Sequence, residues 1–235
     1  MPTTNKDEIP NPLFTDLWMP WVTANAYAGD PNSTVRHLCV RRQAIREYSW
    51  AVPSNSAISA CIRACHGRPL LELGSGTGYW ARLLSEHGVR VTAVESDLSA
   101  GGAFSPHFPA AVQGDALKYL SENEGCPGQV LFLCWPKNAG PWLGAYQGDT
   151  VVWVGETDGC TWRMPAAGWT VVDRVPLPTW GLVHDFLLVY KRQNKRQGAE
   201  DRGSKVTKQM INLRLSMSPR LPVWVPFVSV SELCN

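Results

Sequence analysis

The sequence predicts one α/β domain built on a mostly parallel β-sheet, and three observations support this. An apolar run at 69–73 leads into a glycine-rich turn and a helical stretch, which is the strand–turn–helix unit of parallel sheets. Short apolar or β-branched runs then alternate with helical stretches as far as residue 190. The chain has 235 residues, of which 44% are apolar, enough for the core of a single domain.

The N-terminal part is predicted as an arm followed by two helices. Residues 1–31 contain six prolines or glycines and no hydrophobic period, so we expect an extended arm with a short helix near 14–19. Capping residues predict helices at 33–48 and 57–66. Four arginines on the first of these helices are predicted to form a solvated face, with binding of an acidic substrate or of a cofactor carboxylate as the alternative. They are Arg36, Arg41, Arg42 and Arg46.

The rest of the chain is predicted as a core with a tail. We expect strands at 69–73, 90–95, 110–112, 129–134, 149–156, 169–175 and 184–190. We expect helices at 79–87, 116–122 and 141–146, and a helical turn at 161–167. These elements divide the chain into an arm with a helical cap (1–68), a core (69–192) and a basic linker with a C-terminal tail (193–235). The charged linker at 193–208 is predicted to be solvated, with nucleic-acid binding as the alternative. For the last segment, 210–230, packing on the body, contact with a partner and disorder all stay open.

The glycine turn predicts a ligand site. Gly74, Gly76 and Gly78 alternate, so the backbone can adopt positive φ values and no side chains cover it. The helix that follows offers free N–H groups to an anion. Glu95 ends the next β-branched run, 21 positions after Gly74, where dinucleotide folds place the acid that binds ribose hydroxyls. A tight turn without any ligand is the alternative.

The pattern from Glu72 to Gly78, E-x-G-x-G-x-G, resembles the first motif of class I S-adenosylmethionine (SAM)-dependent methyltransferases. Tyr79 stands where a dinucleotide fingerprint would have its third glycine, which disfavours a nicotinamide oxidoreductase. Over about residues 45–192 the chain also resembles a little-characterised group of bacterial methyltransferase-like proteins. The segments that carry this likeness are Trp50-Ala51-Val52-Pro53, Phe132-Leu133-Cys134-Trp135-Pro136, Val154-Gly155-Glu156 and His184-Asp185.

The resemblance implies a fold and a cofactor site. The fold is a three-layer Rossmann-like sandwich with a seven-stranded, mostly parallel sheet, in which strand 7 runs antiparallel between strands 5 and 6. The glycine turn would lie against the amino-acid part of SAM, and Asp115 would contact the adenine amino group unless it only caps a helix. The implied cofactor-binding residues are Glu72, Gly74, Ser75, Gly76, Gly78, Tyr79, Glu95, Asp115, Cys134, Trp135 and Pro136.

The segment at 134–136 departs from the family pattern. Amino-methylating members carry D/N-P-P-Y/F/W there, whereas this chain has Cys134-Trp135-Pro136. That difference argues against the usual methylation of nucleic-acid amino groups. Pro136 would still make the turn rigid, and Trp135 could present its ring to the sulfonium or to the substrate. Cys134 is predicted to be a small core residue.

Two candidates for proton transfer lie near the same edge of the sheet. Parallel strands end at one edge, and an antiparallel strand 7 would begin there, so Glu156 and His184 should lie close together. Either side chain could accept a proton from an N–H or O–H nucleophile. A hydrogen-bonded residue at the start of a strand is the alternative for His184. Asp185 is its neighbour and should face the opposite way.

The prediction for function is a SAM-dependent methyltransferase that acts on an O or N atom of a small-molecule acceptor. The alternatives are a nucleic-acid methyltransferase and a non-catalytic protein that binds SAM or scaffolds a partner. Net charge is only +2 and the body has no obvious basic face, so nucleic acid is not the expected partner. No apolar run is long enough to span a membrane. The seven cysteines show no C-x-x-C pair and no metal-ligand spacing, and no signal peptide is evident, so we expect a cytoplasmic protein without a metal.

Overall fold

The computed structural model describes residues 9–25, 33–96, 106–157, 161–165, 167–181 and 183–193. Its sheet has seven strands in the order β3-β2-β1-β4-β5-β7-β6. The strands are β1 (Leu70–Leu73), β2 (Val91–Glu95), β3 (Val112–Gln113), β4 (Val130–Cys134), β5 (Thr150–Glu156), β6 (Trp169–Pro176) and β7 (Asp185–Arg192). Neighbouring strands from β3 to β5 are parallel, while β7 is antiparallel to both β5 and β6. The predicted fold class is therefore confirmed, including the reversed seventh strand.

The helices lie close to their predicted positions. They are α1 (Met19–Asn25), α2 (Ser33–Glu47), α3 (Asn55–Cys65), α4 (Tyr79–Glu86), α5 (Ala116–Glu122) and α6 (Gly140–Ala145). Ser54 caps α3 by accepting a hydrogen bond from the backbone N–H of Ala57 at 3.3 Å. Within the described residues 161–165 no helix forms, so the helical turn predicted there is wrong. A buried hydroxyl fixes that segment instead, because Thr161 donates to the Glu156 carbonyl at 2.7 Å and accepts from the Glu156 N–H at 3.0 Å.

The N-terminal arm is more helical than predicted. A π-helical segment at Leu13–Trp18 continues directly into α1. Its Leu13 is fully buried in the core, and the indole N–H of Trp18 donates to the Thr179 carbonyl at 3.0 Å. Packing against the body therefore supplies the stability that proline-rich local sequence lacks. Residues 194–235, which hold most of the predicted linker and tail, lie outside the described residues, and the three-part division of the chain stays a prediction.

The core forms two layers because side chains alternate along each strand. Val130 and Phe132 of β4 join a cluster with α3, α4 and the N-terminal segment, while Leu131 and Leu133 join a cluster with α5 and α6. The arrangement is helix–sheet–helix, as predicted. None of the helices in the described part of the chain combines the length and apolar character that crossing a membrane requires.

Candidate active site

A cavity of about 620 Å³ opens at the carboxyl ends of β1, β2 and β4, where open α/β sheets bind ligands. Its size falls within the usual range for small-molecule sites. The glycine turn, the chain between α2 and α3, and the segment after β4 form its walls. The lining residues are Ile45, Arg46, Tyr48, Ser49, Trp50, Glu72, Leu73, Gly74, Ser75, Gly76, Thr77, Tyr79, Trp80, Glu95, Cys134, Trp135, Pro136, Lys137, Asn138 and Trp142.

The three glycines of the turn all have positive φ, but they serve different purposes. A Cβ on Gly76 would meet nothing within 4 Å, so its backbone faces open space in the cavity. A Cβ on Gly74 would touch the Trp142 ring at 3.4 Å. Gly78 does not line the cavity. A Cβ there would come within 2.7 Å of the Phe108 Cβ, so this glycine is required for packing.

Glu95 is held at the tip of β2 by the glycine turn. Its Oε2 accepts a hydrogen bond from the Gly76 N–H at 2.6 Å, and its Oε1 accepts one from the Ser96 N–H at 2.8 Å. The carboxylate is 8% exposed and lines the cavity. Backbone donors thus fix a charged acceptor beside the bare backbone of Gly76.

Glu72 presents an unsatisfied acid to the same cavity. Its side chain is 2% exposed, and its Oε2 has no hydrogen-bond partner. Burial and, to a smaller extent, the charge of Glu95 raise the pKa of Glu72 to about 8, against a hydrogen bond from the Ala81 backbone that lowers it. A buried carboxyl oxygen without a donor is costly. A cationic group bound in the cavity would remove that cost.

The N-terminal elements lie on the glycine turn. The Tyr79 hydroxyl donates to the Asn11 Oδ1 at 2.8 Å and accepts from the Leu13 N–H at 3.3 Å. The Thr77 hydroxyl donates to the carbonyl of Tyr48, and the Tyr48 ring meets the Tyr79 ring edge-on at 5.1 Å. The arm therefore contacts the site directly, and Tyr79, which the resemblance places at the cofactor, lines the cavity while anchoring that arm.

Trp135, directly after β4, has a strained backbone. Its φ is +50°, which is uncommon for a bulky residue. Its ring stacks on Trp50 at 5.1 Å, and its indole N–H donates to the Asp185 Oδ1 at 2.9 Å. Strain of this kind persists only where the surroundings enforce it, most often at functional sites.

Asp185 does not line the cavity but supports its wall through Trp135, and its buried side chain beside the exposed His184 agrees with the predicted opposite orientation of these neighbours. It is 1% exposed, and its Oδ2 has no hydrogen-bond partner. Burial raises the pKa of Asp185 to about 7, the hydrogen bond from Trp135 lowers it, Glu156 raises it and Arg41 lowers it. The sequence signals for Asp185 were its position at the start of the predicted antiparallel strand and its place in the His184-Asp185 segment of the resemblance.

Arg41 is half-buried rather than part of a solvated face, so that prediction is wrong for this arginine. Its guanidinium lies 5.7 Å from the Trp50 ring centre and 5.5 Å from that of Trp135. Burial lowers the pKa of Arg41, and the charges of Asp185 and Glu156 oppose that effect. Arg42 and Arg46 are exposed, as predicted; the Arg36 side chain lies outside the described residues.

The two predicted proton acceptors, Glu156 and His184, meet at the ends of β5 and β7. The His184 backbone N–H donates to the Glu156 Oε1 at 3.2 Å, which agrees with the alternative of a hydrogen-bonded residue at a strand start. Glu156 is buried, His184 is exposed, and neither lines the cavity. Their roles in proton transfer stay predictions.

Two further predicted site residues have clear local roles. Asp115 caps α5, because its Oδ1 accepts from the Lys118 N–H at 2.8 Å, and it lies outside the cavity wall. Cys134 lines the cavity, and its Sγ lies 3.9 Å from the Ser49 hydroxyl. Burial raises the pKa of the Cys134 thiol, so it stays protonated near neutral pH and is a poor nucleophile. Among the described residues, no group of three or more His, Cys, Asp or Glu could hold a metal ion.

Comparison with known proteins gave matches to solved structures alone. No family model and no curated protein matches the chain. Magnesium protoporphyrin IX methyltransferase from Synechocystis PCC 6803, solved with bound SAM, is 11% identical over 82% of this chain and 100% of its own, with a TM-score of 0.45. A 1,6-didemethyltoxoflavin-N1-methyltransferase from Burkholderia thailandensis, solved with S-adenosylhomocysteine, is 20% identical over 71% and 92%, with a TM-score of 0.44. TrmN from Thermus thermophilus is 13% identical over 58% and 48%, with a TM-score of 0.41. All three identities are too low to infer a shared activity.

Proposed function

We propose that this chain is a SAM-dependent methyltransferase that transfers a methyl group to an O or N atom of a small-molecule acceptor. One observation carries the proposal. Glu72, with its unsatisfied oxygen, and Glu95, held by backbone donors, flank the bare backbone of Gly76 in a 620 Å³ cavity at the carboxyl edge of the sheet.

The lining residues fit the chemical groups of SAM. The orphaned Oε2 of Glu72 needs a donor or a cation, which the cofactor's ammonium would provide. Glu95 can accept hydrogen bonds from the two hydroxyls of a ribose. The turn around Gly76 leaves room for a ligand against the main chain. These residues would hold the amino-acid part and the sugar of the cofactor.

Bound SAM supplies a methyl group on a sulfonium sulfur, whose bond electrons return to sulfur as the methyl moves to the acceptor. The protein would contribute binding, orientation and exclusion of water. Trp50 and Trp135 present a rigid aromatic wall beside the turn. Tyr79, which lines the cavity, is held in place by the N-terminal arm through Asn11.

The acceptor's proton needs a destination when the nucleophile is an N–H or O–H group. Glu156 and His184 remain the predicted acceptors. Asp185 is a third candidate, because burial raises its pKa to about 7 and it contacts Trp135 in the cavity wall. Water is sufficient if the acceptor is already ionised, so this role is separate from cofactor binding.

Calorimetric titration of the wild type with S-adenosylhomocysteine, alongside NADH, tests the cofactor. We expect binding of the former alone, and we expect Glu95→Ala to weaken it about tenfold, because a hydrogen bond to a charged group contributes ~1.5–3 kcal/mol. Glu95→Gln, which keeps the side-chain size, should also weaken binding. Glu122→Ala is the matched control, since Glu122 is exposed on α5 and outside the cavity.

Unchanged affinity in both Glu95 variants would refute the ribose role, and binding of NADH alone would refute the methyltransferase. Turnover is then tested with methyl-labelled SAM and fractionated small-molecule extract. Cofactor binding without transfer to any fraction would favour the non-catalytic alternative.

A further inference from the structure

The cavity is chemically divided. The only carboxylates among its lining residues, Glu72 and Glu95, both lie beside the glycine turn. The remaining wall comes from the end of α2, the chain that follows it and the segment after β4. That part of the wall is aromatic and cationic, so it suits a different ligand from the one beside the turn.

The aromatic part of this wall contains a pair of stacked rings that are held in place. Trp50 and Trp135 stack with an interplanar angle of 18°, and the indole N–H of Trp135 is tied to Asp185. Tyr48 and Trp142 also line the cavity. Rigid aromatic faces favour planar rings, which bury large area against them at little entropic cost.

The cationic part comes from two separate elements. Arg46 belongs to α2, and Lys137 follows β4. Neither has a hydrogen-bond or ion-pair partner among the described residues. Arg42, by contrast, is exposed on the same helix and does not line the cavity. Two unpaired cations in one cavity wall attract an anionic ligand.

We propose that the acceptor is a planar aromatic molecule that carries an anionic group such as a carboxylate. Its ring would lie against the wall that Trp50 and Trp135 form, with the anionic group facing Arg46 and Lys137. This inference rests on the proposed function, since it concerns the second substrate of the same cavity. The competing role for the two cations is to bind the carboxylate of the cofactor itself.

The test is calorimetry on the full chain saturated with S-adenosylhomocysteine. Four probes separate shape from charge: 2-naphthoate, 2-naphthamide, 2-naphthylmethylamine and cyclohexanecarboxylate. We expect 2-naphthoate to bind about tenfold or more tightly than each of the others, and to weaken as salt rises. Neutral, cationic and non-aromatic probes each lack one of the features that the wall recognises.

Variants of Arg46 and Lys137 test whether these two cations recognise the anionic group of the probe. Arg46→Gln and Lys137→Gln should each weaken 2-naphthoate about five- to tenfold while leaving 2-naphthamide and S-adenosylhomocysteine within about twofold of wild type. Arg42→Gln is the matched control and should change none of the three. All three residues are exposed, so folding should survive; circular dichroism checks this.

Several results would overturn the inference. They are equal binding of 2-naphthoate and 2-naphthamide, tighter binding of the amine or of cyclohexanecarboxylate, and no binding by any probe at its solubility limit. If the two variants bind S-adenosylhomocysteine more weakly but bind 2-naphthoate as wild type does, the two cations belong to the cofactor site. Wild-type protein that fails to bind S-adenosylhomocysteine would refute the proposed function itself, so the two failures are distinguishable.

Discussion

Replacing Glu72 by glutamine should stabilise the protein at neutral pH and weaken cofactor binding at the proposed site. Burial raises the folded-state pKa of Glu72 to about 8, against an ordinary value of 4.5. The folded chain therefore keeps this group protonated at pH 7, where the unfolded chain has it ionised. The contribution of Glu72 to the free energy of unfolding is therefore greatest below about pH 4.5. It decreases as pH rises toward 8, because only the unfolded chain ionises the group over this range.

The size of the effect follows from the two pKa values. At 1.36 kcal/mol per pKa unit, ionisation of the unfolded chain costs about 3 kcal/mol of folding free energy at pH 7. Glutamine cannot ionise, so Glu72→Gln should regain about 1–3 kcal/mol at pH 7, after allowance for its own buried amide. Near pH 4.5 the gain should vanish. Urea denaturation at both pH values measures this difference, with Glu122→Gln on exposed α5 as the control.

Cofactor binding should respond in the opposite direction. A ligand ammonium favours ionised Glu72, so wild-type affinity for S-adenosylhomocysteine should rise by up to about tenfold per pH unit between pH 6 and 8. Glu72→Gln should bind more weakly and lose that slope. The reasoning fails if the variant is no more stable than wild type at pH 7, or if its binding keeps the wild-type pH dependence.

Three further variants test other contacts of the site. Asp115→Ala should cost ~1 kcal/mol of stability by removing a helix cap. Unchanged affinity for S-adenosylhomocysteine would leave Asp115 as a cap, whereas a loss of affinity above about fivefold would favour its adenine role. Trp135→Phe should lower the free energy of unfolding by ~1–2 kcal/mol, as measured by urea denaturation, because the Asp185 carboxyl loses its donor. The same loss should raise the pKa of Asp185 further. A pH–rate profile that does not move would exclude Asp185 from proton transfer. Gly78→Ala should destabilise the fold by ~1–3 kcal/mol, because the new Cβ would clash with Phe108 and the backbone has positive φ. Gly76→Ala should cost less stability but block ligand binding. A larger loss of stability for Gly76→Ala than for Gly78→Ala would contradict the packing role of Gly78.

Much of the fold was predictable because local signals and tertiary context agree. The central strands β1, β2, β4 and β5 are short apolar or β-branched runs, and Ser54 and Asp115 mark helix starts by capping chemistry that the sequence shows directly. The reversed seventh strand came from the family resemblance, since strand direction leaves no mark on local composition. The N-terminal arm was underestimated because its helix depends on long-range contacts such as Leu13 with the core.

The candidate site was likewise predictable only where local sequence determines it. Glu72, Gly74, Gly76 and Glu95 belong to one motif and one fixed spacing, and all four line the cavity, whereas Gly78 of the same motif packs against Phe108 instead. Arg41 and Asp185 are 144 positions apart and acquire their environment only through tertiary packing around Trp135. No sequence pattern around Arg41 or Asp185 predicts their contacts with Trp135, and an arginine on a helix is ordinarily solvated.

Several unfavourable features of this protein lie at the carboxyl edge of its sheet, beside the cavity. Two buried carboxyls with unsatisfied oxygens, Glu72 and Asp185, and the positive φ of Trp135 all lie at the carboxyl ends of the strands. At the opposite edge Arg68 is paired, because its guanidinium reaches Asp149 at 2.7 Å and Thr150 at 2.8 Å. Unsatisfied carboxyls and backbone strain beside a cavity are expected where binding supplies the missing partners. Substitutions that relieve the carboxyl edge should therefore raise stability and lower ligand affinity together, while substitutions at Arg68 or Asp149 should lower stability alone.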